Sequence, residues 1–496
     1  MLQNCCSLNS SACTAKAKKQ YAQLTDKLAF TMKIKHLILI SIAHVFLTVF
    51  DMIIYDYQQI SDSLRYILAS NEFASLNFSN LSASVHCNTA PGYPIFLLII
   101  KFITQHNKFP IAMIQSALYC VSLYFLLHNL HAKKLLTSWQ FTLSYILILF
   151  SPEIFQSNQI TYSESLCGSL ILLISGCLVS GFANQRAQIL FVLSTTFLVL
   201  CKFEYLLILP IILIALSYNR RYKLLFSTVF LLTIALTLNG LKNYAIYKVF
   251  NPSSFGSGTV IYGGNNENDD GSWHVTENNY NYLPQIQINN YKAFTALTPE
   301  CRCIKQDSLF KAMAADAWKS NPLKQLKIIP TKLGKLWVMP LSLDVYTGQT
   351  EFKMGLQIKM LFDDSIWPWY GKYKHGVYLF IYWTYLFLIL FGFYLKMKTE
   401  QFKAVDCFVV LLILAFSIMY GILFYGLGRF HIPIFGILTI YASFSIEYID
   451  RKFLKQHMNK LLQQNIINPA RTQSLFDKKI LLQNRKNLEQ FGDVLY

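Results

Sequence analysis

Apolar runs of membrane-crossing length recur along almost the whole chain, at roughly 36–54, 111–130, 139–155, 164–183, 222–241, 375–396, 404–426 and 430–449. A helix needs about 20 mostly apolar residues to cross the hydrocarbon core of a bilayer, and about 17 at the short end. Such a segment must satisfy its own backbone, which in a single stretch only a helix does. The run 187–218 is interrupted by Lys202 and Glu204 and is long enough for two short helices meeting there. The run 92–104 is shorter. Composition agrees: 54% of the 496 residues are hydrophobic and 14% are charged, against about 25% charged in soluble domains. The expected fold class is therefore an all-α integral membrane protein.

Charge sets the expected topology. The formal net charge is +18, which in a soluble chain would raise nucleic acid as a partner. Here the bases gather at the two ends and in short turns, the bias of cytoplasmic loops, and the partner they imply is the lipid bilayer. Lys16, Lys18, Lys19, Lys27, Lys33 and Lys35 hold the N-terminal tail inside. Arg451, Lys452, Lys455 and Lys460 hold the C-terminal tail there too. An even number of crossings is required. Ten spans satisfy it and leave Lys133-Lys134, Arg186, Arg220-Arg221 and Lys396-Lys398-Lys403 in cytoplasmic turns. The run 92–104 is then a half-inserted juxtamembrane helix on the outer side.

This reading divides the chain into a cytoplasmic tail (1–33), a polytopic domain (34–449) with outer loops 55–110 and 242–374, and a basic cytoplasmic tail (450–496). The polar stretch 1–31 reads as a dispensable tail or an over-extended start. Cys120, Cys167, Cys177 and Cys407 lie in apolar runs and read as packing residues. Cys87, Cys301 and Cys303 fall in outer loops, where a link from Cys87 to one of the other two is compatible with an oxidising compartment. No zinc-type Cys/His spacing occurs.

Polar residues able to do chemistry collect on the outer face. Asp62 opens Asp62-Ser63-Leu64-Arg65-Tyr66, and the same loop closes on Ala90-Pro91-Gly92-Tyr93-Pro94. Asp62 could simply cap a helix. Glu164 begins an apolar helix, a place the helix dipole favours for a carboxylate. Lys202 and Glu204 inside an apolar stretch are costly unless they face a polar cavity or each other. Arg429, in Gly426-Leu427-Gly428-Arg429-Phe430-His431, could bind phosphate or snorkel at the interface.

These segments resemble, in order, the motifs of polytopic glycosyltransferases with the GT-C fold, in the branch of lipid A aminoarabinose transferases and protein O-mannosyltransferases. The resemblance covers roughly residues 34–449. It runs from Asp62-Ser63-x-x-Tyr66 and Pro91-Gly92-Tyr93-Pro94 through Pro152 with Ser163-Glu164 and Lys202-Phe203-Glu204-Tyr205 with Pro210. It continues with Lys242-Asn243-Tyr244, Pro252-Ser253-Ser254, Gly263-Gly264-Asn265-Asn266, Trp318 and Asn321-Pro322, and ends at Arg429-Phe430-His431-Ile432-Pro433. Two positions depart from it: Asn88-Thr89-Ala90 and Lys202 stand where relatives often carry Arg.

The resemblance implies transfer of a sugar from a polyprenyl-phosphate donor to a lipid, glycan or protein acceptor on the periplasmic face, with inversion at the sugar carbon. It makes Asp62 and Glu164 the catalytic acids, and Lys202, Arg429, Lys242 and Arg65 the phosphate-binding cations. Tyr66, Tyr93, Glu204 and His431 would line the substrate. The resemblance makes no cofactor certain, since metal use varies across the fold; a divalent cation such as Mg or Mn could be shared by Asp62 and Glu164. The expected location is a bacterial inner membrane, with the endoplasmic reticulum as the alternative. Competing readings are an O-antigen polymerase or ligase, which relies on outer-loop Arg and His, and a transporter, which predicts two related halves with broken helices.

Overall fold

A computed structural model of the protein describes residues 35–53, 61–75, 85, 87, 89–265, 299–340, 368–399 and 402–466, which are helical with no strand among them. In chain order the helices are α1 (Lys35–Ile53), α2 (Ser61–Ala74), α3 (Gly92–Thr104), α4 (Lys108–Ala132), α5 (Ser138–Leu149), α6 (Pro152–Gln159), α7 (Ser163–Ser180) and α8 (Gln185–Cys201). Then follow α9 (Leu209–Tyr218), α10 (Tyr222–Tyr247), α11 (Ser257–Gly264), α12 (Pro299–Ser320), α13 (Pro322–Trp337), α14 (Pro368–Lys398), α15 (Ala404–Ile418) and α16 (Ile432–Ile466).

Among the described residues, seven helical segments are long and apolar enough to cross a membrane: Lys35–Ile53, Lys108–Ala132, Ser163–Ser180, Tyr222–Tyr247, Leu379–Lys398, Ala404–Leu423 and Gly428–Phe453. This is the architecture of a helical membrane protein. The expected count of ten reaches seven by this measure because three runs form shorter helices. The run 139–155 is not one helix. Phe150 ends α5, and Ser151 caps α6 by accepting from the Ile154 N–H, with Pro152 in the first turn where its missing N–H costs nothing. The run 187–218 divides at Lys202 into α8 and α9 across the 3-10 turn Phe203–Leu207. At its far end α16 continues unbroken past residue 449 to Ile466, so the first part of the basic tail extends the last helix.

Local sequence explains several boundaries. Thr137 and Gln140 form a reciprocal capping box at the start of α5, at 3.1 and 2.9 Å. Asn107 and Asn184 cap α4 and α8. Gly181 ends α7 in the left-handed conformation, where glycine carries no steric penalty.

The core is centred on α7, which is buried along most of its length against α4, α8 and α16. Ser165, Gly168, Ser169 and Gly176 let neighbouring backbones come close, the packing that replaces hydrophobic drive inside lipid. A Cβ at Gly176 would fall 2.6 Å from the ring of Phe125 on α4. The start of α7 is thus fixed in space, and Glu164 lies in its first turn.

Residues 1–34, 76–84, 266–298 and 467–496 lie outside the described set, as do the side chains of Cys301 and Cys303.

Candidate active site

The link from α3 to α8 builds the floor. Gly92 begins α3 against the end of α8: a Cβ there would sit 2.5 Å from the Leu200 carbonyl carbon and the Cys201 nitrogen. Only glycine allows that approach. It places Pro91-Gly92-Tyr93-Pro94 directly against the residue that precedes Lys202. Tyr93 is fully buried and its hydroxyl donates to Gln115 Oε1. The Gln115 amide in turn donates to the carbonyls of Asn158 (3.3 Å) and Ile160 (3.1 Å), tying α3 and α4 to the link before α7. Tyr66 packs edge-on against Tyr93, with ring centroids 4.9 Å apart, and its hydroxyl is 3.4 Å from Ser163 Oγ.

Above this floor five charged side chains alternate in sign. Arg65 Nη2 is 3.2 Å from Asp62 Oδ1. Asp62 Oδ2 is 3.2 Å from Arg429 Nη1. Arg429 Nε is 3.9 Å from Glu164 Oε1, which accepts from Lys202 Nζ at 2.9 Å. Of the alternatives left open by the sequence, Asp62 combines a local partner, Arg65, with a distant one, Arg429, and Lys202 takes a distant one. Asp62 sits in the first turn of α2, yet its carboxylate faces two guanidinium groups. Lys202 turns to Glu164 on α7 and not to Glu204, which accepts from the Tyr420 hydroxyl at 3.4 Å.

Burial pushes the Asp62 carboxyl up, but Arg429 and Arg65 together outweigh it and hold it below the ordinary Asp value. Asp62 is therefore an anion at neutral pH.

Aromatic rings wall the cations. Lys202 Nζ lies 5.0 Å from the centroid of Phe430, and the Arg429 guanidinium lies 5.2 Å from Tyr162 and 5.3 Å from Phe430. Tyr420 stacks on Phe430 with centroids 4.4 Å apart. Tyr162, Ser163, Tyr420 and Phe430 belong to the site but were not singled out from sequence as lining it. Their proximity to Glu164 and Arg429 in the chain was the available signal for three of them. Tyr420 carried none.

Other motif residues shape the surroundings. Asn243 donates to the carbonyls of Asn251 (2.6 Å) and Ser253 (2.7 Å), closing the turn after α10. Asn265 donates to the Leu423 carbonyl (2.7 Å) and accepts from Trp318 Nε1 (3.2 Å) and Lys332 Nζ (2.9 Å). It thereby anchors the segment that leads into Arg429.

Two expected site residues stand apart from the cluster. Lys242 is buried on α10 with its ammonium 5.8 Å from the ring of Phe73. Phe73 lies eleven residues beyond Asp62 on α2, about 16 Å at 1.5 Å per residue. His431 follows Arg429 by two residues but points the other way, into the core. Its Nδ1 lies 2.7 Å from the Leu336 carbonyl, and its Nε2 is 3.5 Å from Glu153 Oε2 and from the Tyr382 hydroxyl.

Among the described residues no group of three or more His, Cys, Asp or Glu side chains converges as metal ligands. Arg429 occupies the space between Asp62 and Glu164, so an ion shared by those carboxylates would have to displace its guanidinium.

Cys87 is in a disulfide. It packs with Tyr247 and Phe255 in a small cluster that Ile304, the residue after Cys303, also joins.

No protein-family model and no curated protein matches this chain.

Proposed function

We propose that the chain is a GT-C-type membrane glycosyltransferase that moves a sugar from a polyprenyl-phosphate donor to a hydroxyl acceptor. One observation carries this reading: Asp62, Arg429, Glu164 and Lys202, drawn from four distant parts of the chain, meet in a single alternating array. A carboxylate able to act as base, a second that orients the cations, and two cations suited to a phosphate are within one array. It lies at the end of α7 opposite the Lys133-Lys134 and Arg220-Arg221 turns.

In this reading the donor phosphate enters between Arg429 and Lys202 and takes over part of their pairing with Asp62 and Glu164. Asp62 is a weak base while Arg429 and Arg65 hold it ionised. Loss of the Arg429 contact to the phosphate raises its basicity when both substrates are present. Asp62 then accepts the proton of the acceptor hydroxyl. The hydroxyl oxygen bonds to the anomeric carbon as the carbon–oxygen bond to phosphate breaks, with inversion. The leaving polyprenyl phosphate carries the new negative charge, which Lys202 and Arg429 stabilise. Glu164 positions Lys202 and Arg429 through its two contacts. Ten crossings, with both termini cytoplasmic and the array on the outer face, fit this chemistry. The Cys87 disulfide supports an oxidising compartment for that face.

The test is transfer by purified protein in proteoliposomes, with polyprenyl-phosphate sugar supplied and the acceptor identified from glycan profiles of a deletion strain. Asp62→Asn should lower transfer by about 10²-fold or more with membrane insertion intact. Full activity in both Asp62→Asn and Glu164→Gln would remove the acid assignment.

A further inference from the structure

At the far end of α7 from Glu164 lies a cavity of about 160 Å³ that the proposed reaction does not use. Its walls are mainly apolar, with Leu126 and Leu130 of α4, Leu178 and Val179 of α7, Val409 of α15 and Ile440 of α16 among them. Ser163–Ser180 spans about 27 Å at 1.5 Å per residue, close to the thickness of the hydrocarbon core. The charged array and this cavity thus belong to opposite membrane surfaces.

The cavity's polar groups gather where α14 meets α15. Lys396 Nζ is 2.6 Å from Asp406 Oδ1, and the Tyr441 hydroxyl donates to the same oxygen at 2.6 Å. The Lys403 N–H donates to Asp406 Oδ2 at 2.7 Å. Both oxygens of Asp406 are therefore satisfied and its charge is matched by Lys396, which also lies over the rings of Tyr441 and Phe444. Asp406 is the sole carboxylate lining the cavity among the described residues. Lys403, also at the lining, is exposed and has no carboxylate within ion-pair distance among the described residues. Exposed bases flank this end on two more elements: Lys133 and Lys134 follow α4, and Arg220 and Arg221 follow α9. Arg221 donates to the Gly181 carbonyl at 2.8 Å, which fixes that turn against the end of α7.

An apolar slot whose described mouth residues carry an excess of positive charge matches an amphiphile with a hydrocarbon tail and an anionic head. We propose that this cavity is a binding site for an anionic membrane phospholipid of the leaflet opposite the charged array. An acyl chain enters between α4, α7, α15 and α16, and the phosphate rests against Lys403 and the outer side of the Lys396–Asp406 pair. The site is independent of the transferase reading.

The test uses the full chain in detergent and native mass spectrometry, titrated with phosphatidylglycerol and, separately, phosphatidylcholine of the same acyl chains. Wild type should retain one phosphatidylglycerol in preference to phosphatidylcholine. Lys403→Gln should weaken phosphatidylglycerol binding by about fivefold and leave phosphatidylcholine unchanged. Val409→Phe should fill the slot and abolish specific retention of either lipid. Equal binding of the two lipids by wild type, or unchanged phosphatidylglycerol binding in Lys403→Gln, would overturn the proposal. The Lys403 variant decides the matter even if the filled variant does not fold, because its side chain is exposed.

Discussion

Replacing Lys202 by Met tests the charged array most directly, because it deletes the ammonium while keeping the length of the side chain. Glu164 is buried, with its side chain 5% exposed, and its two cationic partners are at 2.9 and 3.9 Å. At an effective dielectric of about 20, unit charges at these distances attract by about 6 and about 4 kcal/mol. Losing the larger of the two leaves a carboxylate still desolvated, with the longer contact as its one close cation and a 3.3 Å hydrogen bond from Ser163. Breaking a buried pair by removing one partner costs about 3–5 kcal/mol. Lys202→Met should therefore unfold at a clearly lower SDS fraction than wild type in mixed-micelle titrations. Adding Glu164→Gln removes the stranded charge and should recover most of the loss, with a coupling of about 2–3 kcal/mol. The same cycle run with Glu204→Gln should give a smaller coupling, since Glu204 makes no close ion pair with Lys202 and its carboxylate accepts from the Tyr420 hydroxyl instead. The Lys202/Glu164 double variant should fold yet fail in transfer. If Lys202→Met is as stable as wild type, or if the double variant loses the sum of the two single losses, the array is not the one described.

Two further outcomes are expected. Gly92→Ala should destabilise the protein by about 1–3 kcal/mol, the usual range for forcing a methyl into packed space, and should lower transfer as well, because the displaced backbone carries Lys202; denaturant titration and an activity assay on the same preparation check both. Asp62 contributes stability through a depressed folded pKa, so the contribution is full above the unfolded value of about 3.9 and is lost as pH falls through the folded value. Asp62→Asn should thus be less stable than wild type at pH 7, with the difference closing only below about pH 4, and a gap that closes between pH 5 and 7 would contradict the Arg429 and Arg65 pairing.

Sequence reasoning picked out the charges that form the array because of where they sit. Lys202 interrupts an apolar run, Glu164 opens one and Arg429 precedes the last, and each is expensive unless something compensates it. That cost is readable without a structure, and so is the helical class. Which charge compensates which is not readable. Lys202 has Glu204 two residues away, yet it pairs with Glu164 across 38 positions because the Gly92 contact and the turn after α8 aim it at α7. His431 shares a motif with Arg429, but the 3-10 turn Gly428–His431 sends the two side chains in different directions.

The apolar runs themselves were determined by the sequence, since burial in lipid requires about 20 uncharged residues in a row and nothing distant can supply them. The helix count was not: a run such as 139–155 breaks at Ser151-Pro152, and whether the pieces cross together depends on what they pack against. The array was decided only by the tertiary structure. Carboxylates and cations 367 and 38 residues apart become partners when α2, α7, α8 and the start of α16 converge, and that convergence is set by the close approach of small residues on α7 and at Gly92, a property of the packed bundle that no single segment carries.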